Sequence, residues 1–176
     1  INSLRDDGAY NILKKLTITN SSANVSQIID PKPHCTFPVS ITSDDKNQLY
    51  VADAYLPDGC IFIFASNATA LGEVCTQNPS LKNPNGLSLD SQGNIYIADS
   101  GNGRVIKVSV DGSILQNYRT TPSLVYPYDV KVRNDGVVYI SDSQCSCIYQ
   151  LTNDGQQCGV IELEDKPYLS RPFITL

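Results

Sequence analysis

A unit of about 44 residues recurs along this chain, and it limits the possible folds more than any other feature. Pro38, Pro84, Pro127 and Pro172 open successive copies at intervals of 46, 43 and 45 residues. Asp53, Asp99 and Asp142 close the second strand of three copies, and their intervals are again 46 and 43. Those strands read Leu49-Tyr-Val-Ala-Asp53, Ile95-Tyr-Ile-Ala-Asp99 and Val138-Tyr-Ile-Ser-Asp142, with Tyr at the same place in each. Third strands are expected at Cys60–Phe64, Val105–Val108 and Cys147–Leu151, and fourth strands at Leu71–Cys75, Ile114–Tyr118 and Gly159–Leu163. The central copy, Asn83 to Gly112, is the most regular. Ile95, Tyr96, Ile97 and Ala98 form a nearly continuous apolar run, as in a strand covered on both faces. Asp90-Ser-Gln-Gly-Asn94 before it supplies turn chemistry, because Gly93 tolerates positive φ and Asp90 can accept from its own backbone.

Four short strands per unit, repeated side by side, predict an all-β propeller in which each unit is a blade. The central copy also resembles the NHL repeat of six-bladed β-propellers. It carries Pro84-Asn-Gly-Leu87, Asp90, Gly93-Asn94, Ile95-Tyr-Ile-Ala-Asp-Ser100, Asn102 and Arg104 in that family's order. The flanking copies depart from the pattern. Ser40 and Asp129 stand in place of Gly86, and Ala54-Tyr-Leu-Pro57 and Gln144-Cys-Ser-Cys147 replace the Ser-x-Asn-x-Arg segment. The resemblance spans residues 36–176 and implies a whole propeller of six blades.

The expected organisation is a single propeller segment over residues 1–176. Residues 1–30 form the outer half of a blade, because Asp7-Gly8-Ala-Tyr-Asn-Ile-Leu13 aligns with Asp58-Gly59-Cys-Ile-Phe-Ile-Phe64. Complete blades occupy 36–76, 82–119 and 125–164, and residues 171–176 supply the first strand of another. Open blade edges invite pairing, so the segment is expected to be completed by more of the same chain or by a further copy of itself. The chain starts at Ile1 and contains no Met, which fits a processed or excised chain.

A net charge of −5 and a sequence pI near 4.7, with no basic run, argue against a nucleic-acid surface. No apolar stretch approaches the ~20 residues of a membrane helix. Six Cys without metal-ligand spacing favour disulfides and an oxidising compartment. The sequons at Asn20, Asn24 and Asn67 agree with a secreted or cell-surface glycoprotein. Cys60 and Cys147 share one blade position, and Cys75 and Cys158 lie in or beside the next fourth strands. That arrangement predicts Cys60–Cys75 and Cys147–Cys158 bridges. It leaves Cys35 and Cys145 to pair with each other or with cysteines elsewhere.

Candidate chemistry is sparse. His34, the single His, sits in a Pro-bounded connection with no nucleophile beside it, so catalysis of the Ser-His-Asp type is not expected. Asn85 and Asp129 fall at first-strand entrances. There the chain is similar to lactonase-type propellers, whose Asn, Asp and Glu oxygens hold a divalent cation, and hard cations favour such ligands. The corresponding positions Val39-Ser40 and Phe173-Ile174 offer almost no ligands. Asp53, Asp99 and Asp142 recur in every copy, which points to turn-holding carboxylates rather than an acid–base pair, with Arg104 in support. Tyr55, Tyr118, Tyr126 and Tyr128 are candidates for an exposed contact surface. Tyr126, Tyr128 and Asp129 form the patch singled out for binding. The expected function is therefore a non-catalytic extracellular scaffold without a cofactor, binding a protein or glycan. The alternative is a metal-dependent hydrolase or lyase with ligands partly outside this chain.

Overall fold

The computed structural model describes residues 2–6, 11–18, 23–29, 37–55, 59–77, 79–162 and 173–175, with side chains from Phe37 onward. The described strands form four antiparallel sheets. The first contains β1 (Asn2–Asp6), β2 (Asn11–Ile18) and β3 (Ala23–Ile29), paired in that order. The second contains β4 (Pro38–Ser43), β5 (Leu49–Asp53), β6 (Cys60–Phe64) and β7 (Ala70–Val74). The third is β8 (Pro84–Leu89), β9 (Ile95–Asp99), β10 (Arg104–Val108) and β11 (Ile114–Tyr118). The fourth is β12 (Pro127–Val132), β13 (Val138–Asp142), β14 (Cys147–Leu151) and β15 (Gln157–Glu162). Each four-stranded sheet is a meander in which every strand pairs with its neighbours in sequence.

The N-terminal unit contributes three strands, β1 to β3. After the fourth sheet, Ile174 donates its amide to Asp129 Oδ2. One detail differs from the sequence expectation. The fourth strands β7 and β15 begin one and two residues before Leu71 and Gly159. Weak apolar patterning is the cause: β7 and β15 are mostly exposed outer strands, so no buried face marks their ends.

Side-chain alternation along β9 explains why the blades stack. Ile95 and Ile97 pack toward the second sheet in a cluster with Tyr50, Ala52, Ile61, Val74, Leu81, Leu87, Ile106 and Val108. Tyr96 and Ala98 point the other way and join Val105, Tyr118, Val130, Val138, Ile140, Tyr149 and Leu151. Every residue of β9 is buried, because a blade lies against each of its faces. Each large side chain so covered contributes about 1.5–3 kcal/mol relative to exposure, so the interfaces between sheets, rather than any sheet alone, hold the segment together. The inner strands β4, β8 and β12 lie side by side across the three sheets.

Register then sorts the connections into two faces. Pro38, Pro84 and Pro127 pair with Asp53, Asp99 and Asp142, so the start of each first strand lies beside the end of each second strand. Proline suits that place, since it has no N–H to give the ladder. A bulge follows the proline in all three sheets. The crossovers from one blade to the next and the loops between second and third strands therefore share one face, called here the loop face. The tight turns between first and second strands, and between third and fourth, form the opposite turn face.

Candidate binding face

Three carboxylates build the loop face from below. Asp53 Oδ2 accepts the Phe37 amide at 2.9 Å, and its Oδ1 accepts the Tyr55 amide at 2.8 Å. Asp142 Oδ2 accepts from Val125 N at 2.7 Å, and its Oδ1 accepts from Gln144 N at 2.8 Å. Asp99 Oδ1 accepts from Lys82 N at 2.7 Å, while its Oδ2 accepts from Arg104 Nε at 2.6 Å and Asn102 Nδ2 at 2.8 Å. All three are buried. Each one clamps the incoming crossover to the loop after the second strand. Their oxygens accept from surrounding backbone amides and, at Asp99, also from Arg104 and Asn102.

Above these clamps the side chains are apolar and exposed. Phe37, Tyr55, Val125 and Tyr126 are 57%, 59%, 59% and 37% exposed. Tyr128 is half-buried and meets Phe173 edge-on, with ring centroids 5.2 Å apart. Phe37 and Tyr126 occupy the same repeat position, immediately before the first-strand proline. Their carbonyls accept the amides of Ala54 and Ser143 at 3.0 and 3.1 Å. In the central blade Asn83 stands there instead. The fold uses these residues through their backbone, so it does not account for aromatic side chains at the two outer positions.

Several sequence candidates sit elsewhere. Tyr118 is buried, not part of the exposed surface. Its ring stacks on Tyr96 at 5.9 Å and its hydroxyl donates to Asn153 O at 3.0 Å, because β11 folds its last residue inward against the fourth sheet. Burial raises the pKa of both tyrosine hydroxyls above the ordinary value. Asp129, proposed as a binding or metal-holding residue, is buried as well. Its Oδ1 accepts from Val130 N at 2.9 Å and Lys131 Nζ at 3.1 Å, and its Oδ2 accepts from Ile174 N at 2.9 Å. Burial raises its pKa, and Lys131 and the amide donors oppose that rise. Asp129 thus ties β12 to the segment that comes after the fourth sheet. Asn85 Nδ2 donates to Ser100 Oγ at 2.8 Å, and Ser100 passes the chain on to the carbonyl of Pro127. The two candidate ligands are straps between blades. Among the described residues no group of three His, Cys, Asp or Glu is placed to hold a metal ion. His34 and Cys35 lie outside the described residues.

The turn face carries a groove of about 680 Å³ lined by residues that include Asp44, Tyr50, Asp90, Gln92 and Asn94. Two of its acidic groups, Asp44 and Asp90, hold turns. Asp44 Oδ1 accepts from the amides of Lys46 and Gln48, and Asp90 Oδ1 accepts from those of Gln92 and Asn94. Asp90 is further paired with Lys107 at 3.0 Å.

The cysteines require one correction. Cys60 is bonded to Cys75, but Cys147 is bonded to Cys145, and Cys158 is free and exposed. Register is the reason. Cys147 lies opposite Glu162 at the end of β15, while Cys158 lies at its start beside Gly159, the partner of Gln150. Four strand residues separate the two places, about 13 Å, and a disulfide needs Cα atoms within about 7 Å. In β7 the place opposite Cys60 comes just after Val74, the partner of Ile61, and Cys75 occupies it. Replacing Cys60 and Cys75 together by Ser is expected to lower unfolding stability by about 3 kcal/mol, as for a closed loop of this length. Urea unfolding of the oxidised protein and the variant measures this, and an unchanged midpoint would show that the bridge does not form.

Comparison with known proteins places the fold. Residues 81–108 match the NHL repeat family model. No curated protein matches the chain. Among solved structures, an inactive virginiamycin B lyase from Staphylococcus aureus, crystallised with quinupristin, superposes with a TM-score of 0.67 at 14% identity. That match covers 93% of this chain and 55% of the lyase. A chain of a nidogen–laminin complex gives a TM-score of 0.67 at 17% identity, covering 86% of this chain and 56% of that one. A gluconolactonase from Xanthomonas campestris gives 0.66 at 14%, covering 86% and 55%. The chain spans about half the length of these proteins. The fold is a β-propeller with an NHL repeat at its centre; the similarity carries no activity with it.

Proposed function

We propose that this chain is part of an extracellular, non-catalytic propeller that binds a partner protein through its loop face. The observation that carries this is the pair Phe37 and Tyr126, aromatic and exposed at a repeat position where the central blade does without an aromatic. Tyrosine and phenylalanine are favoured at the centres of protein interfaces, where they bury large area at small entropic cost. A propeller chain in a nidogen–laminin complex gives a precedent among the structural neighbours for a protein partner. The Cys60–Cys75 bridge supports an oxidising compartment, because such bonds persist outside the cytosol. The described residues contain no helix long and apolar enough to cross a membrane.

The test compares Phe37→Ser/Tyr126→Ser with a Val110→Ser control. Val110 is 58% exposed in the Ser109–Ser113 turn on the opposite face. Partners cross-linked to the native protein in extracellular extracts are identified by mass spectrometry and their affinity is measured with purified components. The double variant is expected to lose at least tenfold in affinity, about 1.4 kcal/mol or more, at unchanged thermal stability, and the control to lose none. Equal binding by both variants would remove the loop face from the proposal. The lyase and gluconolactonase neighbours support an enzyme as the second reading, here one with a metal held partly by Asn85. Stoichiometric bound divalent metal that disappears in Asn85→Ala would replace the scaffold by that reading.

A further inference from the structure

The turns between third and fourth strands are built alike in all three complete blades, and the first of them differs in a chemically specific way. Each spans five residues: Ala65–Thr69, Ser109–Ser113 and Thr152–Gln156. In each, the first residue's amide donates to the last residue's carbonyl, at 2.8, 3.0 and 2.9 Å. In each, the fourth residue has positive φ: Ala68 at 73°, Gly112 at 85° and Gly155 at 88°. The third residue is Asn67, Asp111 or Asp154. Asp111 Oδ1 accepts the Ser113 amide at 3.0 Å, and Asn67 Oδ1 accepts the Thr69 amide at 3.1 Å. The fold therefore asks only for a side-chain oxygen at this place, and a carboxylate serves as well as a carboxamide.

The second sheet has the carboxamide, succeeded by Ala68 and Thr69, in an exposed hairpin tip. With its Oδ1 held by the turn, Asn67 presents its Nδ2 to solvent two residues before a hydroxyl. We propose that Asn67 carries an N-linked glycan. This rests on the extracellular placement proposed above. The transfer takes a lipid-linked oligosaccharide diphosphate as donor. The Asn67 Nδ2 forms a bond to the anomeric carbon, the C–O bond to the diphosphate breaks, and the diphosphate departs as the amide gives up one of its two protons. Asn20 falls by sequence between β2 and β3 but lies outside the described residues, as does the side chain of Asn24.

Placement gives the glycan a role. The β6–β7 hairpin is closed by Cys60–Cys75 at the loop face and has Asn67 at its other end. β7 is an outer strand exposed at four of its five residues, with Leu71 53% exposed. A sugar chain at its start covers an edge of the kind that pairs with other chains, and leaves the loop face open.

Glycopeptide mass spectrometry of the native protein, with enzymatic deglycosylation in 18O-water, reads the site directly. The expected result is a sugar-bearing peptide that becomes an 18O-labelled aspartate at position 67. In protein secreted from eukaryotic cells, Thr69→Ser keeps the modification, and Asn67→Asp and Thr69→Ala abolish it. Both losses come with an intact fold, because Asp serves the sister turn and Thr69 donates through its backbone. A bare Asn67 beside an intact Cys60–Cys75 bridge in the native protein overturns the glycan alone. A bare Asn67 with both cysteines present as free thiols overturns it together with the extracellular reading.

Discussion

Asp99→Ala will destabilise this fold by about 3–4 kcal/mol, more than Asp142→Ala, although the two positions are equivalent in the repeat. Both variants lose a clamp on backbone amides, and leaving such donors buried without partners costs about 1–3 kcal/mol. The central blade adds a cation to its clamp. Arg104 Nε lies 2.6 Å from Asp99, with the carboxylate fully buried and the guanidinium side chain 12% exposed. Removing one member of a buried pair costs about 3–5 kcal/mol, since the other charge stays behind. The lower half of that range applies, because Arg104 Nη2 keeps Pro79 O at 3.1 Å. Urea titration of the two single variants checks the order. Adding Arg104→Leu to Asp99→Ala should recover part of the loss by taking out the stranded charge. Equal losses at the two positions would mean that the ion pair adds nothing to the clamp.

That asymmetry marks what the sequence could and could not disclose. The blades were legible because proline, tyrosine and aspartate recur at fixed spacing and each has a physical duty there. The second strands run from Leu49, Ile95 and Val138 to their aspartates as the pattern implies. Outer strands were less legible, since an exposed strand has no buried face to fix its register, and the mistaken partner for Cys147 came from that. Asn85 and Asp129 have the chemistry of ligands but were absorbed by contacts between blades, which no single repeat displays. One signal was available for Asp129: it replaces the repeat's glycine. Phe37 was missed because it reads as a crossover residue, and its exposure appears only when its carbonyl is seen to be the part the fold uses.

Gly86 is where the contact between blades can be tested most sharply. A Cβ added there would lie 2.5 Å from the Asp129 Cα and 2.8 Å from the Val130 amide nitrogen. β8 and β12 thus approach more closely than a methyl group allows, and Gly86→Ala must push two inner strands apart. Overpacking of this kind typically costs about 1–3 kcal/mol, occasionally more, and the upper end is expected because the obstruction is backbone. Gly72 is the control. It lies in a strand where an added methyl would meet no atom within 4 Å, so Gly72→Ala should gain about 0.5–1 kcal/mol from the lost glycine entropy. Adding Asp129→Ala to Gly86→Ala should not rescue it. The Asp129 Cα and Val130 N remain in the way, and the ties to Lys131 and Ile174 are lost as well. Thermal unfolding of Gly86→Ala, Gly72→Ala, Asp129→Ala and the double variant decides the matter. Full rescue by Asp129→Ala would show that the inner strands can part, and that the carboxylate, not the strand spacing, sets how closely successive blades pack.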